Sequence, residues 1–289
     1  MFKDILISMR PKQWYKNLII FIGIVFSLNL LNFNLWINVI SAFIVFCLLS
    51  GSMYIINDYL DIDKDRNHPK KCKRPLASGR LKASHALFFS TIFIITALGL
   101  AYLVNISLFI VSLGFFSLIL IYSLFLKKIS IVDILVISTG FVLRAVAGCV
   151  AIGVFVSPWL IIATFLLALF LALGKRRHEL ILLKDKATSH RNILDGYSTD
   201  MLDQMMNITT ASLIMSYSIY TFFSKSLYIM LTIPLAFYGI FRYLYLINAK
   251  EMGGDPEMLF KDKGMVLSMA LWAFLVIGVL YFNKLTVLI

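Results

Sequence analysis

A chain of 289 residues that is 60% hydrophobic and only 15% charged, with a mean hydropathy of +0.88, lies outside the range of soluble globular domains. Its 27 Lys and Arg against 15 Asp and Glu leave a net charge of +12, which membrane topology and anionic headgroups account for without nucleic acid. Cys47, Cys72 and Cys149 have no CxxC spacing and two fall inside apolar runs, so neither a zinc site nor a disulfide framework is indicated.

A membrane span needs roughly 20 apolar residues, and in chain order the sequence offers nine such segments, near 18–33, 36–56, 87–104, 107–126, 131–153, 159–173, 205–223, 227–247 and 265–282. The first is short. Trp14 and Trp36 flank it and no small-residue cleavage site follows, so it reads as a retained helix rather than a signal-peptide core. With the N-terminus inside, the cytoplasmic pieces are 1–17, 57–86, 127–130, 174–204 and 242–263, and together they hold 24 of the 27 Lys and Arg. That bias is the one expected for inside loops, and it leaves the C-terminus outside. Every acid lies in the same pieces except Asp133, at the cytoplasmic start of the fifth span. The expectation is one all-α transmembrane domain over 1–289, in the cell (inner) membrane, with its chemistry on the cytoplasmic face.

Charge of both signs concentrates in 57–86. If the second helix continues past Ile56, then Asn57, Asp61 and Asp65 follow at i, i+4 and i+8 and Asp58 sits three before Asp61, so the four share a face. Asp63, about 200° from Asp61 on the wheel, points elsewhere. Stacked carboxylates repel, so a cation belongs among them, and an oxygen-only donor set suits Mg²⁺ completed by substrate phosphates. Next come Arg66, His68, Lys70, Lys71, Lys73, Arg74 and Arg80, interrupted by Pro69 and Pro75, a loop of phosphate-compatible donors. A solvated inside loop accounts for these cations but not for the one-faced acids.

Arg144 lies eleven residues beyond Asp133, about 16 Å deeper along the fifth helix. A charge at that depth costs at least about 2.5–3.5 kcal/mol and needs a partner. The candidates are a carboxylate or carbonyl of a neighbouring helix, or a substrate phosphate.

Asn57-Asp58-x-x-Asp61-x-x-x-Asp65 resembles the first aspartate-rich motif of the UbiA superfamily of intramembrane prenyltransferases. The stretches RPKQWYKN (10–17), DRNHP (65–69), GFVLRAVAG (140–148), LGKRRHEL (173–180) and GGDPE (253–257) are similar to its decaprenyl-phosphate phosphoribosyltransferase-like branch. The resemblance implies a nine-helix UbiA-type bundle with a cytoplasmic-side loop cap. It implies Asp58 and Asp61 as catalytic residues, with Asn57, Asp58, Asp61 and Asp65 as Mg²⁺ ligands. Lys16, Asn17, Arg66, Lys71, Arg74, Arg144, Lys175, Arg176, Glu179 and Tyr197 are then the expected substrate-binding set. The implied reaction moves 5-phosphoribose from phosphoribosyl diphosphate to a polyprenyl phosphate in the membrane, with diphosphate leaving; homo-oligomeric assembly is compatible with it.

The departure from the aromatic prenyltransferase pattern comes after the sixth span. A second aspartate-rich motif is expected there, and the sequence offers Lys175, Arg176, Arg177 and a lone Glu179. Asp200 and Asp203 stand three apart before the seventh span, and Asp195-Gly196 reads as a turn. Cations in that place suit an additional phosphate, although inside-loop loading also explains them. Lys175 or Arg176, with Lys71 or Arg74 from the other loop, would grip the 5-phosphate, and Glu179 a ribose hydroxyl or a metal-bound water. A phosphate monoester is already largely a dianion at neutral pH, so no general base is required. Two alternatives stay open: prenyl transfer from a diphosphate to an aromatic or other acceptor, and transport, for which one charge at mid-depth is thin support.

Overall fold

The protein is described by a computed structural model over residues 1–184, 196–224, 226–250 and 261–286, and no strand occurs among them. In chain order its α-helices are α1 Phe2–Ser8, α2 Ile22–Phe26, α3 Phe33–Leu60, α4 Ile62–Arg66, α5 Ala83–Val104, α6 Ile106–Leu124, α7 Val132–Ala151, α8 Pro158–Lys184, α9 Thr199–Phe222, α10 Ile233–Lys250 and α11 Lys263–Thr286. Seven of the described helices are long and apolar enough to cross a membrane. Asp195 and the GGDPE stretch lie outside the described residues.

Three expected elements differ. The first span is not one α-helix: Pro11–Phe21 winds as a 3-10 helix and passes into the five-residue α2. Such a run is unusually long, but at about 2.0 Å per residue it gains length, so that it and α2 together reach about 30 Å. The seventh is helical as α9, but it starts earlier, at Thr199, where Ser198 Oγ accepts a hydrogen bond from the Met201 amide at 3.1 Å. Asp200, Asp203, Gln204 and Asn207 make its first half polar. The region after the sixth span is not loop at its start. α8 runs on to Lys184, because Lys, Arg, Glu and Leu are strong helix formers and Arg176 and Glu179 pair across one turn.

The residues pack as two compact units, Met1–Phe125 with Gly140–Val156, and Leu126–Thr139 with Ser157–Ile289. In the first, Phe46, Leu49, Leu108 and Phe115 belong to a buried cluster with Ile20 and Ile24. A Cβ on Gly148 would stand 1.8 Å from the Ile20 carbonyl oxygen, so α7 meets the 3-10 segment backbone to backbone. A second cluster gathers Ile5 and Met9 with Ile55, Leu76, Leu81 and Ala86. It fastens α1 and the loop after α4 to the end of α3. The other unit has its own core of Ile134, Phe170, Leu173, Leu202, Met206, Tyr243 and Leu246.

Candidate active site

The acid-rich stretch sits where α3 ends. Asp61 caps α3 with φ −105° and starts α4, so the four expected residues do not lie on one continuous helix. Asp58 and Asp65 are both 3% exposed, while the Asp63 side chain is 96% exposed and only meets Arg66 at 3.5 Å. Arg74 Nη1 lies between the buried pair, 3.0 Å from Asp58 Oδ1 and 2.5 Å from Asp65 Oδ2. Arg10 Nη2 also donates to Asp58 Oδ1, and its guanidinium lies 4.7 Å from the Tyr54 ring centroid.

Local sequence explains why these arginines arrive. Leu76 and Leu81 are buried on either side of a turn, which leaves Arg74 at the mouth. Arg10 precedes Pro11, which disfavours the α region, and takes φ 53°, a left-handed conformation rare for arginine. Arg10 was not among the expected site residues. The signal available in the sequence was Arg-Pro directly before an aromatic-rich stretch.

The donor set fits a magnesium ion. Asp58 and Asp65 are oxygen donors that already share one cationic group, and Mg²⁺ is commonly held by one or two carboxylates with the remainder from water and phosphate. Among the described residues no three carboxylate, His or Cys side chains gather around one metal-sized point. The fit is therefore to a pair rather than to a closed cage; Asn57 and Asp61, both half-buried, flank Asp58 in sequence. Arg66 and Lys71 are exposed on the following segment, and Lys16 is half-buried near the Tyr15 ring.

Deeper in the same unit, Arg144 has found its partner in the RPKQWYKN stretch. Its Nε donates to Asn17 Oδ1 at 2.8 Å and its Nη1 to the Gly140 carbonyl at 3.0 Å. The guanidinium also lies 4.6 Å from the Phe115 ring and 5.1 Å from that of Phe141, contacts worth about 2 kcal/mol each when desolvated. Asn17 is 1% exposed and its Nδ2 donates to Cys47 Sγ.

The second set of charges belongs to the other unit and contains a residue that sequence reasoning left aside. Asp133 is fully buried and accepts hydrogen bonds from Arg176 Nε at 2.7 Å and from the Tyr197 hydroxyl at 2.9 Å. Arg176 Nη1 donates to Glu179 at 2.5 Å. Arg177, next to it, pairs with Asp203 at the start of α9. The Ile131 amide donates to the Tyr197 hydroxyl at 2.5 Å, with Ile131 at φ 69°. That conformation costs a β-branched residue about 1–2 kcal/mol, so the hydrogen bond holds a strained turn. Gly196 packs closely here, since a Cβ would stand 2.3 Å from Ser130 Oγ and 3.0 Å from Ser130 Cβ. Burial pushes the Tyr197 hydroxyl up to about 12, and the Asp133 carboxylate acts in the same direction; Tyr197 is therefore a neutral donor throughout the physiological range. Of the cations expected to hold substrate, Arg176 is committed inward, whereas Lys175 is half-buried at the same end of α8.

An all-helical, membrane-spanning fold with buried carboxylates and arginines at the end of a long apolar helix defines a membrane-embedded enzyme for anionic substrates. Residues 18–261 match the model of the UbiA prenyltransferase family. The chain belongs to that family and is a transferase. It is 29% identical over 285 residues to the decaprenyl-phosphate phosphoribosyltransferase of Corynebacterium glutamicum, covering 95% of this chain and 86% of that one. The protein of the same name from Mycolicibacterium smegmatis is 28% identical, with 96% and 92% covered. Among solved structures, a UbiA homologue from Archaeoglobus fulgidus bound to DMAPP and Mg²⁺ superposes with a TM-score of 0.73 at 20% identity, over 96% of this chain and 99% of that one.

Proposed function

We propose that the protein transfers 5-phosphoribose from phosphoribosyl diphosphate to a polyprenyl phosphate. The observation that carries this reading is the cationic end of α8. Lys175, Arg176 and Arg177 take the sequence position of a second aspartate-rich motif; Arg176 and Arg177 pair with Asp133 and Asp203, and Lys175 is the cation assigned to the 5-phosphate of a phosphoribosyl donor. The full-length similarity to decaprenyl-phosphate phosphoribosyltransferases supports it.

In the reaction an oxygen of the polyprenyl phosphate bonds to C1 of the ribose while the C1–O bond to diphosphate breaks, the diphosphate leaving with the electron pair. When bound at Asp58, with Asp65, Asn57 and Asp61 beside it, Mg²⁺ supplies charge neutralisation for the leaving group. Arg10 and Arg74 exchange carboxylate for diphosphate oxygens and hold the donor by charge-assisted hydrogen bonds. Arg66, Lys71 and Lys16 add positive charge for the phosphorylated substrates. Lys175 takes the 5-phosphate, and Glu179 accepts from a ribose hydroxyl. Positioning two mutually repelling anions is the main catalytic task. The nine-crossing reading treats the 3-10 segment with α2 and the helix α9 as the two crossings beyond the seven apolar helices. It forms a single domain with the N-terminus and the chemistry on the cytoplasmic side and the C-terminus outside.

The deciding experiment incubates purified protein and Mg²⁺ with phosphoribosyl diphosphate and polyprenyl phosphate and looks for a phosphoribosylated lipid. Lys175→Ala should raise the KM of the donor by about one to two orders of magnitude, the scale of one or two charge-assisted contacts. The KM of the acceptor should hardly move. Turnover of a prenyl diphosphate with an aromatic acceptor, indifferent to Lys175→Ala, would favour prenyl transfer instead.

Orientation has a direct test as well. Cys47 and Cys149 are buried and Cys72 is partly exposed in the loop before α5. A membrane-impermeant maleimide should leave the wild-type protein unlabelled in intact cells and reach Cys72 after permeabilisation. Ser157→Cys should be labelled from outside. It is a better reporter than position 105, because Asn105 caps α6 and bonds to the Val150 carbonyl. Labelling of Cys72 in intact cells would reverse the orientation.

A further inference from the structure

We propose that Asp133 and Tyr197 are positioning residues that fix Glu179, through Arg176, as a selector for the ribose hydroxyls of the donor. This rests on the phosphoribosyl reading above and deepens it.

The four side chains form one chain of hydrogen bonds with a buried end and an open end. The Tyr197 hydroxyl donates to Asp133 Oδ1, Asp133 Oδ2 accepts from Arg176 Nε, and Arg176 Nη1 donates to Glu179 Oε2. Side-chain exposure is 0% at Asp133, 6% at Arg176 and 24% at Glu179. Only the last carboxylate is open enough to meet a substrate. A buried ion pair returns little net stability compared with well-packed apolar side chains, so stability is a poor account of this arrangement. Its geometric effect is definite. The Asp133 carboxylate fixes the plane of the Arg176 guanidinium, and the rigid fork of the guanidinium fixes Glu179.

The anchoring of Asp133 is itself reinforced. Ile131 is held at φ 69° with its amide on the Tyr197 hydroxyl, and Gly196 lets that segment approach Ser130. Tyr197 thus bonds to the turn before α7 and to the first-turn carboxylate of α7 at once. A rotation of Tyr197 or Asp133 would release Arg176, and Glu179 would then lose its direction.

A fixed carboxylate is a hydrogen-bond acceptor, and a sugar diol is the donor that matches it. A site built to bind a hydroxyl rejects the analogue lacking it far more strongly than an apolar pocket rejects a change of size. Discrimination between the ribosyl donor and its 2-deoxy or 3-deoxy analogue therefore reads the orientation of Glu179. A loss of general stability would scale the rates with all donors alike.

The experiment measures kcat/KM for phosphoribosyl diphosphate and for the two monodeoxy analogues, with thermal protection of the purified protein by each donor as a readout independent of turnover. The wild-type protein should prefer the ribosyl donor over at least one analogue by about tenfold or more. Glu179→Gln should reduce that preference to near unity. Tyr197→Phe, which keeps the ring, and Asp133→Asn should each lower it by about threefold or more while the acceptor KM stays put. Adding Tyr197→Phe to Glu179→Gln should change the preference no further, since both act on one interaction. If Asp133→Asn does not fold, Tyr197→Phe decides. A folded Tyr197→Phe protein that discriminates as the wild type does would overturn the proposal, as would a wild-type protein that ignores the missing hydroxyl. Failure of phosphoribosyl diphosphate to be turned over or to protect the wild-type protein would instead reject the phosphoribosyl reading.

Discussion

Asp58→Asn should lower turnover by about two to three orders of magnitude, the cost of removing one group that stabilises charge developing in a transition state. The variant should remain folded. Arg10 and Arg74 side chains are 30% and 28% exposed, so both can turn to water when the carboxylate between them is neutralised. Asp61→Asn should also cost most of the activity if Asp61, at the junction of α3 and α4, is a Mg²⁺ ligand as proposed. Asp63→Asn should stay within about threefold of wild type, because its side chain is 96% exposed and exposed pairs contribute little. Rates at saturating donor, with circular dichroism to verify folding, test all three. Equal losses at positions 61 and 63 would contradict the assignment of faces.

Gly148→Ala should prevent the first unit from assembling. Its added carbon would lie 1.8 Å from the Ile20 carbonyl oxygen and 2.7 Å from the Ile20 carbonyl carbon. Neither is the end of a flexible side chain, so the helix or the 3-10 segment has to shift. The expected destabilisation is about 3 kcal/mol or more, at the upper end of overpacking effects. A fall in yield and melting temperature in detergent would register it. Gly278→Ala, with no atom within 4 Å of its added carbon, is the control and should leave both unchanged.

These two sites mark how far the sequence carries. Helical spacing anticipated that Asp58 and Asp65 are buried and Asp63 exposed, but not that α3 ends at Leu60 and leaves Asp63 and Asp65 on α4. It could not reveal that arginine occupies the carboxylates, since Arg10 and Arg74 reach Asp58 across 48 and 16 residues. The apolar run of 18–33 suggested an ordinary helix. Its 3-10 winding goes with the backbone contact at Gly148, which no periodicity encodes. Hydropathy alone ends the sixth span near residue 173, although 175–184 contains good helix formers and α8 runs on to Lys184; amphiphilic ends of membrane helices lose the apolar signal before they lose the helix. Asp133 was visible as an isolated acid at the start of a span. Its partners Arg176 and Tyr197 lie 43 and 64 residues away, and only the folded unit brings them to it.

The pairing of Arg144 with Asn17 has a consequence for biogenesis. The two residues are separated by 127 positions, and Asn17 is the earlier. During synthesis the carboxamide that receives the guanidinium enters the membrane long before α7 does, together with Phe115 on α6. The guanidinium of Arg144 therefore arrives after its acceptor and one of its aromatic faces have already been delivered. A chain rearranged so that α7 precedes the RPKQWYKN segment would have to insert that charge with neither in place, and its failure would be one of membrane integration rather than of final stability.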